Sequence, residues 1–231
     1  MKLSIIIPCF NENKYIEEVI DSINEQKIED KEIIVVNDAS TDGTKEKLIE
    51  LKEKKKIDTL IHHEKNLGKG GAVRSALKKS TGEIIIIQDA DLEYSPKDFF
   101  KLIKPIAEGK ADVVYGSRFL GGGEDAHRVL YFWHRVANGI LTTLANILTD
   151  MNLTDMETGY KAFKKNTLDN ISIEENRFGF EPEITIKLAK KKLKFFEVGV
   201  SYNGRTYDEG KKIGIKDGFR AVYCLFKYKF F

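Results

Sequence analysis

The feature that most restricts how this chain can fold is the run Ile84-Ile85-Ile86-Ile87, four consecutive β-branched residues with no polar alternation. A strand with one wet face alternates apolar and polar side chains. A strand that is apolar at every position must be covered on both sides, as in a parallel sheet between two helical layers. Similar short runs recur at Leu3–Ile7, Glu32–Val36 and Thr59–His62, and the intervening Lys14–Gln26 and Thr44–Lys55 are charged and helix-compatible. This alternation predicts a βαβα order and an α/β fold with a doubly wound, mostly parallel sheet flanked by helices. Asp112–Arg118 reads as a further strand and its exit. After it, Gly121–Gly123 changes the character of the chain and long amphipathic material follows. A soft boundary therefore separates residues 1–118 from 119–231. No linker divides the two halves, so they are expected to pack as one domain.

In open sheets of this kind ligands bind beyond the carboxyl ends of the strands. Those exits are polar: Pro8-Cys9-Phe10-Asn11-Glu12-Asn13 after the first, Asn37–Thr44 after the second, and Asp89-Ala90-Asp91 after the fourth. Asp89 and Asp91 are one residue apart, and in extended chain that spacing points both carboxylates the same way. Such a pair suits Mg²⁺ or Mn²⁺ held jointly with substrate phosphates; the alternative is a helix N-cap, because Ser95-Pro96 opens a helix soon after. A carboxylate at Asp38 or Asp42 could accept hydrogen bonds from a nucleobase. Asp42, beside Gly43, also suits a turn and helix start, which leaves Asp38, at the strand exit itself, the stronger candidate. Asn66-Leu67-Gly68-Lys69-Gly70-Gly71-Ala72 resembles a phosphate-cradling loop but lacks the Lys-Ser or Lys-Thr of a P-loop, and Pro8 stands where a dinucleotide fold has its glycine fingerprint.

Taken in order, Pro8–Glu12, Asn37–Thr44, Asn66–Ala72, Asp89–Glu93, Gly116-Ser117-Arg118 and Asp155–Lys161 resemble the family-2 glycosyltransferases, most nearly the branch of dolichol-phosphate mannose and glucose synthases. The resemblance covers essentially the whole chain and implies a GT-A type fold. It also implies an inverting, metal-dependent transfer of mannose or glucose from a GDP- or UDP-hexose to a polyprenyl or dolichyl phosphate. By the same resemblance, Pro8, Phe10 and Glu12 border the nucleotide, Asp38 binds its base, and Lys69, Lys161 and Arg205 lie with Asp89 in the nucleotide-sugar site. Asp89, Asp91 and Glu93 are the implied metal ligands, Mg²⁺ or Mn²⁺ the implied cofactor, and Arg118 and Arg135 the cations around the acceptor phosphate, with Arg128 close to Arg135. Phe10 stands where the family usually has Tyr, and Glu93 where Gln is common.

The 38 basic and 36 acidic side chains give a net charge of only +2, so no whole-molecule field for nucleic acid is expected. Cys9 and Cys224 lie far apart with no CxxC spacing, which speaks against a zinc site or disulfide framework. The apolar start at Leu3–Ile7 is broken at Pro8, too short for a signal peptide, so a cytoplasmic protein is expected. His134 and Arg135 interrupt Val129–Thr149, leaving too few residues to span a bilayer, so this segment reads as a buried or interfacial helix. Phe219, Tyr223, Phe226 and Phe230 recur at helical spacing among Arg220, Lys227 and Lys229. That pattern fits a terminal helix docked on the core or resting on an anionic membrane. The implied partners are thus a nucleotide-sugar, a lipid phosphate and the cytoplasmic membrane surface or a membrane subunit. His62 and His63 read as exposed residues at a strand end, and His127 and His134 as flanking the acceptor region. A saccharide hydroxyl as acceptor is the main alternative; a nucleotide-sugar-forming nucleotidyltransferase is more distant, because its glycine-rich triphosphate loop has no counterpart after the first strand.

Overall fold

The computed structural model describes residues 1–121, 128, 131–206, 209–210, 212 and 214–231; Gly122, Gly123 and His127 lie outside the described residues. Strands β1 (Leu3–Cys9), β2 (Lys31–Asn37), β3 (Thr59–His62), β4 (Ile84–Ile87), β5 (Val113–Ser117), β6 (Lys161–Lys164) and β7 (Phe195–Gly199) form one sheet in the order β3-β2-β1-β4-β6-β5-β7. β1, β2, β3 and β4 pair in parallel, as do β5 and β7. The short β6 runs antiparallel between β4 and β5, so the strands nearest the sheet's centre come from both sides of residue 118.

The isoleucine run explains why the sheet is sandwiched. Ile84 and Ile86 join Leu3, Ile5, Ile7, Ile33 and Val35 in one core, against α1 (Ile16–Asn24), α2 (Thr44–Glu53) and α4 (Phe99–Ala107). Ile85 and Ile87 join Ile6, Ile34 and Val36 in the other, against α3 (Lys69–Leu77), α5 (Phe132–Thr149), α6 (Phe180–Ala189) and α7 (Ile215–Phe230). Each such isoleucine contributes about 1.5–3 kcal/mol by leaving water.

Both long helices are docked by one side only. α7 buries Ala221, Cys224, Leu225 and Tyr228 but leaves Phe219 75%, Tyr223 53%, Phe226 44% and Phe230 65% exposed. α5, which packs on α7, buries Asn138, Thr142 and Ala145 and exposes Phe132, Trp133, Ile140 and Ile147. The aromatic residues spaced along α7 thus form its outer face, and the docking contacts come from residues between them. No helix among the described residues is long and apolar enough to cross a membrane.

Candidate active site

The strand order reverses direction between β1 and β4, the switch point at which open α/β sheets take ligands. The two strands pair only as far as Ile6 and Ile87. Pro8 presents the same hydrogen-bonding edge as Ile6 just where β4 has ended, so its missing N–H leaves no gap in the ladder. The loops that follow β1, β2 and β4 each turn through one non-glycine residue in the left-handed region: Asn11 (φ 51°), Ala39 (φ 59°) and Leu92 (φ 59°). Such strain persists only where surroundings over-determine it. Here the first two loops interlock: Asn11 N donates to Ser40 Oγ (3.0 Å), Thr41 N to Asn11 Oδ1 (2.8 Å), Glu12 N to Thr44 Oγ1 (3.0 Å) and Asn13 N to Asp42 Oδ2 (3.2 Å). Asp42 is therefore a turn and helix-start residue.

The crevice holds acids and cations in alternation. Lys69, at the first position of α3, places Nζ 2.8 Å from Asp89 and 3.0 Å from Glu181 of α6. Burial opposes its charge, but those two carboxylates outweigh it and raise the Lys69 pKa. Arg205 reaches Asp91 at 2.7 Å and grips both oxygens of Glu12 at 3.0 and 3.2 Å. Lys212 adds a contact to Glu12 at 2.5 Å and lies 5.6 Å from the centre of the Phe10 ring. Burial, then the negative charges of Glu93 and Asp89, push the Asp91 carboxyl up to about 7.

The position of Glu93 explains the departure noted at that residue. Its Oε1 accepts from Arg205 N (2.8 Å) and its Oε2 from Tyr202 hydroxyl (3.0 Å), and Asn203 N donates to its backbone oxygen (2.9 Å). Both side-chain oxygens face donors, and a glutamine amide group would turn an N–H₂ toward one of them. Glu93 thus fastens the 202–205 segment across the site rather than joining Asp89 and Asp91 in a three-ligand set. Among the described residues no three His, Cys, Asp or Glu side chains gather to hold an ion. The Asp89–Asp91 pair itself fits Mg²⁺ or Mn²⁺, since all its donors are hard oxygens and such ions commonly use one or two carboxylates plus substrate phosphates.

Space around Asp89 is set by Gly159. A Cβ there would lie 2.1 Å from Asp89 Oδ2 and 2.8 Å from Lys69 Nζ. The obstructing atoms are the ends of side chains, so Gly159→Ala is expected to shift Asp89 rather than the backbone. Titration calorimetry should then show metal-dependent nucleotide affinity about tenfold or more weaker, with the thermal midpoint within a few degrees of wild type. The glycines of the 66–72 segment serve packing in a similar way: a Cβ on Gly68 would sit 2.4 Å from Asn176 O, and one on Gly70 2.2 Å from Glu175 O.

Other expected site residues turn out to be engaged by the fold. Asp38 is almost fully buried, and it accepts from Leu67 N (2.8 Å), Gly68 N (2.6 Å) and His63 Nδ1 (2.7 Å). His63 is accordingly not an exposed strand-end residue; it links Asp38 to Ser75 Oγ (2.9 Å). Lys161, expected beside the donor diphosphate, lies wholly inside the protein: its Nζ donates to the Met156 (3.0 Å) and Thr158 carbonyls, over the Tyr115 ring. Burial lowers its pKa to about 8. Arg118 makes a two-pronged contact with fully buried Asp155, at 2.7 Å on each oxygen. Arg135, exposed on α5, lies 4.7 Å from the Phe119 ring centre, and Arg118 lies 5.6 Å from the same ring, so the two arginines do meet around one aromatic. Arg128 is drawn instead to Glu209 at 2.8 Å.

Sequence reasoning missed Tyr94, whose hydroxyl accepts from Gly159 N (3.1 Å) and whose ring lies against Tyr160 and Tyr202. It also missed the carboxylates Glu157 and Glu181. Among the described residues four buried side-chain atoms lack a hydrogen-bond partner: Gln88 Oε1, Glu157 Oε1, Glu181 Oε2 and Arg205 Nε. Arg205 Nε lies among the acids of the crevice, and Glu181 shares Lys69 with Asp89; such groups call for a functional explanation. Burial and the charge of Glu181 push the Glu157 carboxyl up to about 8. The only signal for Glu157 was its place in Asp155–Lys161; Glu181 reads as an ordinary acid in a helix's first turn.

Comparison with known proteins bears on the family and the fold. The chain is 31% identical to a dolichol-phosphate mannosyltransferase of Pyrococcus furiosus, over 99% of its own length and 65% of that protein's. It is 30% identical to a UDP-N-acetylglucosamine–dolichyl-phosphate N-acetylglucosaminyltransferase of Methanococcus voltae, over 97% of its own length and 95% of that protein's. A solved structure of glucosyl-3-phosphoglycerate synthase from Mycobacterium tuberculosis, with Mn²⁺, UDP and phosphoglyceric acid, matches it with a TM-score of 0.74 at 20% identity, covering 99% of this chain and 78% of that one. That likeness establishes a GT-A type fold. The profile described as Glycosyl transferase family 2 matches residues 4–172, a span that takes in all the strand exits described above, and the chain belongs to that family.

Proposed function

We propose that this glycosyltransferase moves a hexose, mannose or glucose, from a GDP- or UDP-hexose to the phosphate of a polyprenyl or dolichyl lipid. The observation that carries the reading is the alternation of charge at the β1–β4 crevice, Asp89 against Lys69 and Asp91 against Arg205. A metal-bound diphosphate brings both signs of charge, so each of these four side chains has a partner on it. The relatives from P. furiosus and M. voltae are named for transfer involving dolichol or dolichyl phosphate.

A lipid phosphate is anionic at neutral pH, so its oxygen can attack the anomeric carbon without a base removing a proton. The new C–O bond forms as the bond to the nucleotide diphosphate breaks, and the electron pair departs with the diphosphate, inverting the centre. Mg²⁺ or Mn²⁺ on Asp89 and Asp91 would neutralise charge on that leaving group. Lys69, kept charged by Asp89 and Glu181, adds a fixed cation beside it. The unpaired oxygens of Glu157 and Glu181 are acceptors suited to sugar hydroxyls. On the acceptor side Arg135 faces the phosphate, and Arg118 shapes the same wall through Asp155.

One observation favours a saccharide hydroxyl as acceptor: Glu157, with an unpaired oxygen and a pKa near neutrality, has the properties of a general base. A single assay separates the two. Purified protein is incubated with labelled nucleotide-sugars and a polyprenyl phosphate, with Mg²⁺ or Mn²⁺ or with excess chelator. Chelator-sensitive label in the organic phase is the expected result; diphosphate release without labelled lipid would reject the lipid phosphate.

The exposed aromatic faces of α5 and α7, with Arg135 and Lys229 among them, suit the interface of an anionic membrane on the cytoplasmic side. Phe226→Ser/Phe230→Ser is expected to weaken sedimentation with vesicles containing anionic lipid by about tenfold or more, at about 1.5–3 kcal/mol per buried Phe. The thermal midpoint should not move, because both rings are already exposed.

A further inference from the structure

Arg205 occupies an unusual position for a substrate-binding arginine. Its guanidinium is nine-tenths buried and lies among three carboxylates: Glu12 on two prongs, Asp91 at 2.7 Å, and Glu93 with 3.5 Å between Nε and Oε1. Nε itself has no hydrogen bond. Among the described residues Arg205 is the one cation paired with Asp91. The segment that carries it is fixed by the Tyr94–Tyr202 bridge and by Glu93.

From this geometry we infer that Arg205 is a tethered counter-cation: it neutralises the acidic crevice when no donor is bound, competes with the divalent ion for Asp91, and transfers to the diphosphate when metal and nucleotide enter together. The inference rests on the metal and diphosphate half of the proposed function. Its physical basis is charge balance. Among the described residues, removing the guanidinium would leave Asp91 and Glu93 with no cation and Glu12 with Lys212 alone, an excess of negative charge that favours a small cation at Asp91. With the guanidinium present, a divalent ion alone must displace it from Asp91, its shortest contact, and then lie beside a cation still held by Glu12. A nucleoside diphosphate removes that penalty, because it offers the guanidinium an anion of matching geometry. Metal and nucleotide therefore bind synergistically in the wild type, and the coupling runs through this side chain. Thermodynamic reciprocity requires each ligand to tighten the other by the same factor.

The test measures Mn²⁺ binding, by electron paramagnetic resonance of the free ion and by calorimetry, with and without UDP or GDP, in wild type, Arg205→Gln and Arg205→Lys. In the wild type the nucleotide should tighten Mn²⁺ by about a hundredfold. In Arg205→Gln, Mn²⁺ alone should bind about tenfold more tightly than in wild type, equivalent to about 1.4 kcal/mol, and the nucleotide should add little. Arg205→Lys keeps the charge but not the fork; it should fall between the two, and it carries the test if the glutamine variant does not fold. Nucleotide-free Mn²⁺ affinity that is unchanged or weaker in both variants, with wild-type synergy retained, would overturn the inference while leaving the transferase reading intact. Failure of wild type to bind Mn²⁺ with any nucleotide would instead remove the metal half of that reading, and this inference with it.

Discussion

Asp91→Asn is expected to lower sugar transfer by about a thousandfold or more and yet leave the metal-free protein as stable as wild type or more stable. The activity term follows from the role of the Asp89–Asp91 pair. Losing half of the carboxylate set that holds a metal on the leaving diphosphate removes about 4 kcal/mol of charge stabilisation, at about 1.4 kcal/mol per factor of ten. The stability term has the opposite sign. Asp91 is confined with Glu12, Asp89 and Glu93, and burial and those neighbours raise its pKa despite Arg205. A group whose charged form is disfavoured in the folded state costs stability when it ionises. A neutral amide of the same shape avoids that cost, although it weakens the grip on Arg205. Turnover and the thermal midpoint, measured on the same preparation, check the pair of expectations. A lower midpoint together with lost turnover would make Asp91 a structural residue rather than one carrying strain for function.

Arg118→Met should behave in the reverse manner, with its largest effect on folding. Asp155 is fully buried, and Arg118 supplies two of its contacts at 2.7 Å each, plus a third from the Arg118 backbone N–H at 3.0 Å. Removing one partner of a buried ion pair strands the other, at about 3–5 kcal/mol. For a chain of 231 residues that lowers the thermal midpoint by about 10 °C, at about 2–4 °C per kcal/mol. Removing the stranded charge as well, in Arg118→Met/Asp155→Asn, should recover a good part of the loss, because the sites are in contact and their effects do not add. If the arginine served only an acceptor phosphate, the midpoint would stay put and only the acceptor concentration needed for half-maximal rate would rise.

Much of the sheet was legible in the chain. The strand at Thr59–His62 falls where its β-branched run stands, and the four isoleucines divide between the two cores as an unbroken apolar strand must. β6 was not legible: Lys161–Lys164 is four residues long, with lysine at both ends. Its register comes from β4 and β5 on either side and not from its own pattern. His63 was misjudged for a related reason. The neighbour that buries it, Asp38, lies 25 residues earlier, and nothing local to the histidine signals the contact.

What the sequence determined by itself was the first five strands and the acids at their exits, because β-branched runs, turn residues and alternation act over a few neighbouring positions. What only the tertiary structure decided was which cation meets which acid. Arg205 joins Glu12 across 193 positions of chain, and Lys69 finds Glu181 and Arg118 finds Asp155 only after α6 and the loop before β6 have folded onto the sheet. With 38 basic and 36 acidic side chains to choose from, charge alone leaves those pairings undetermined. Burial selects them, because only in the low-dielectric crevice does an unpaired charge cost enough to fix its partner.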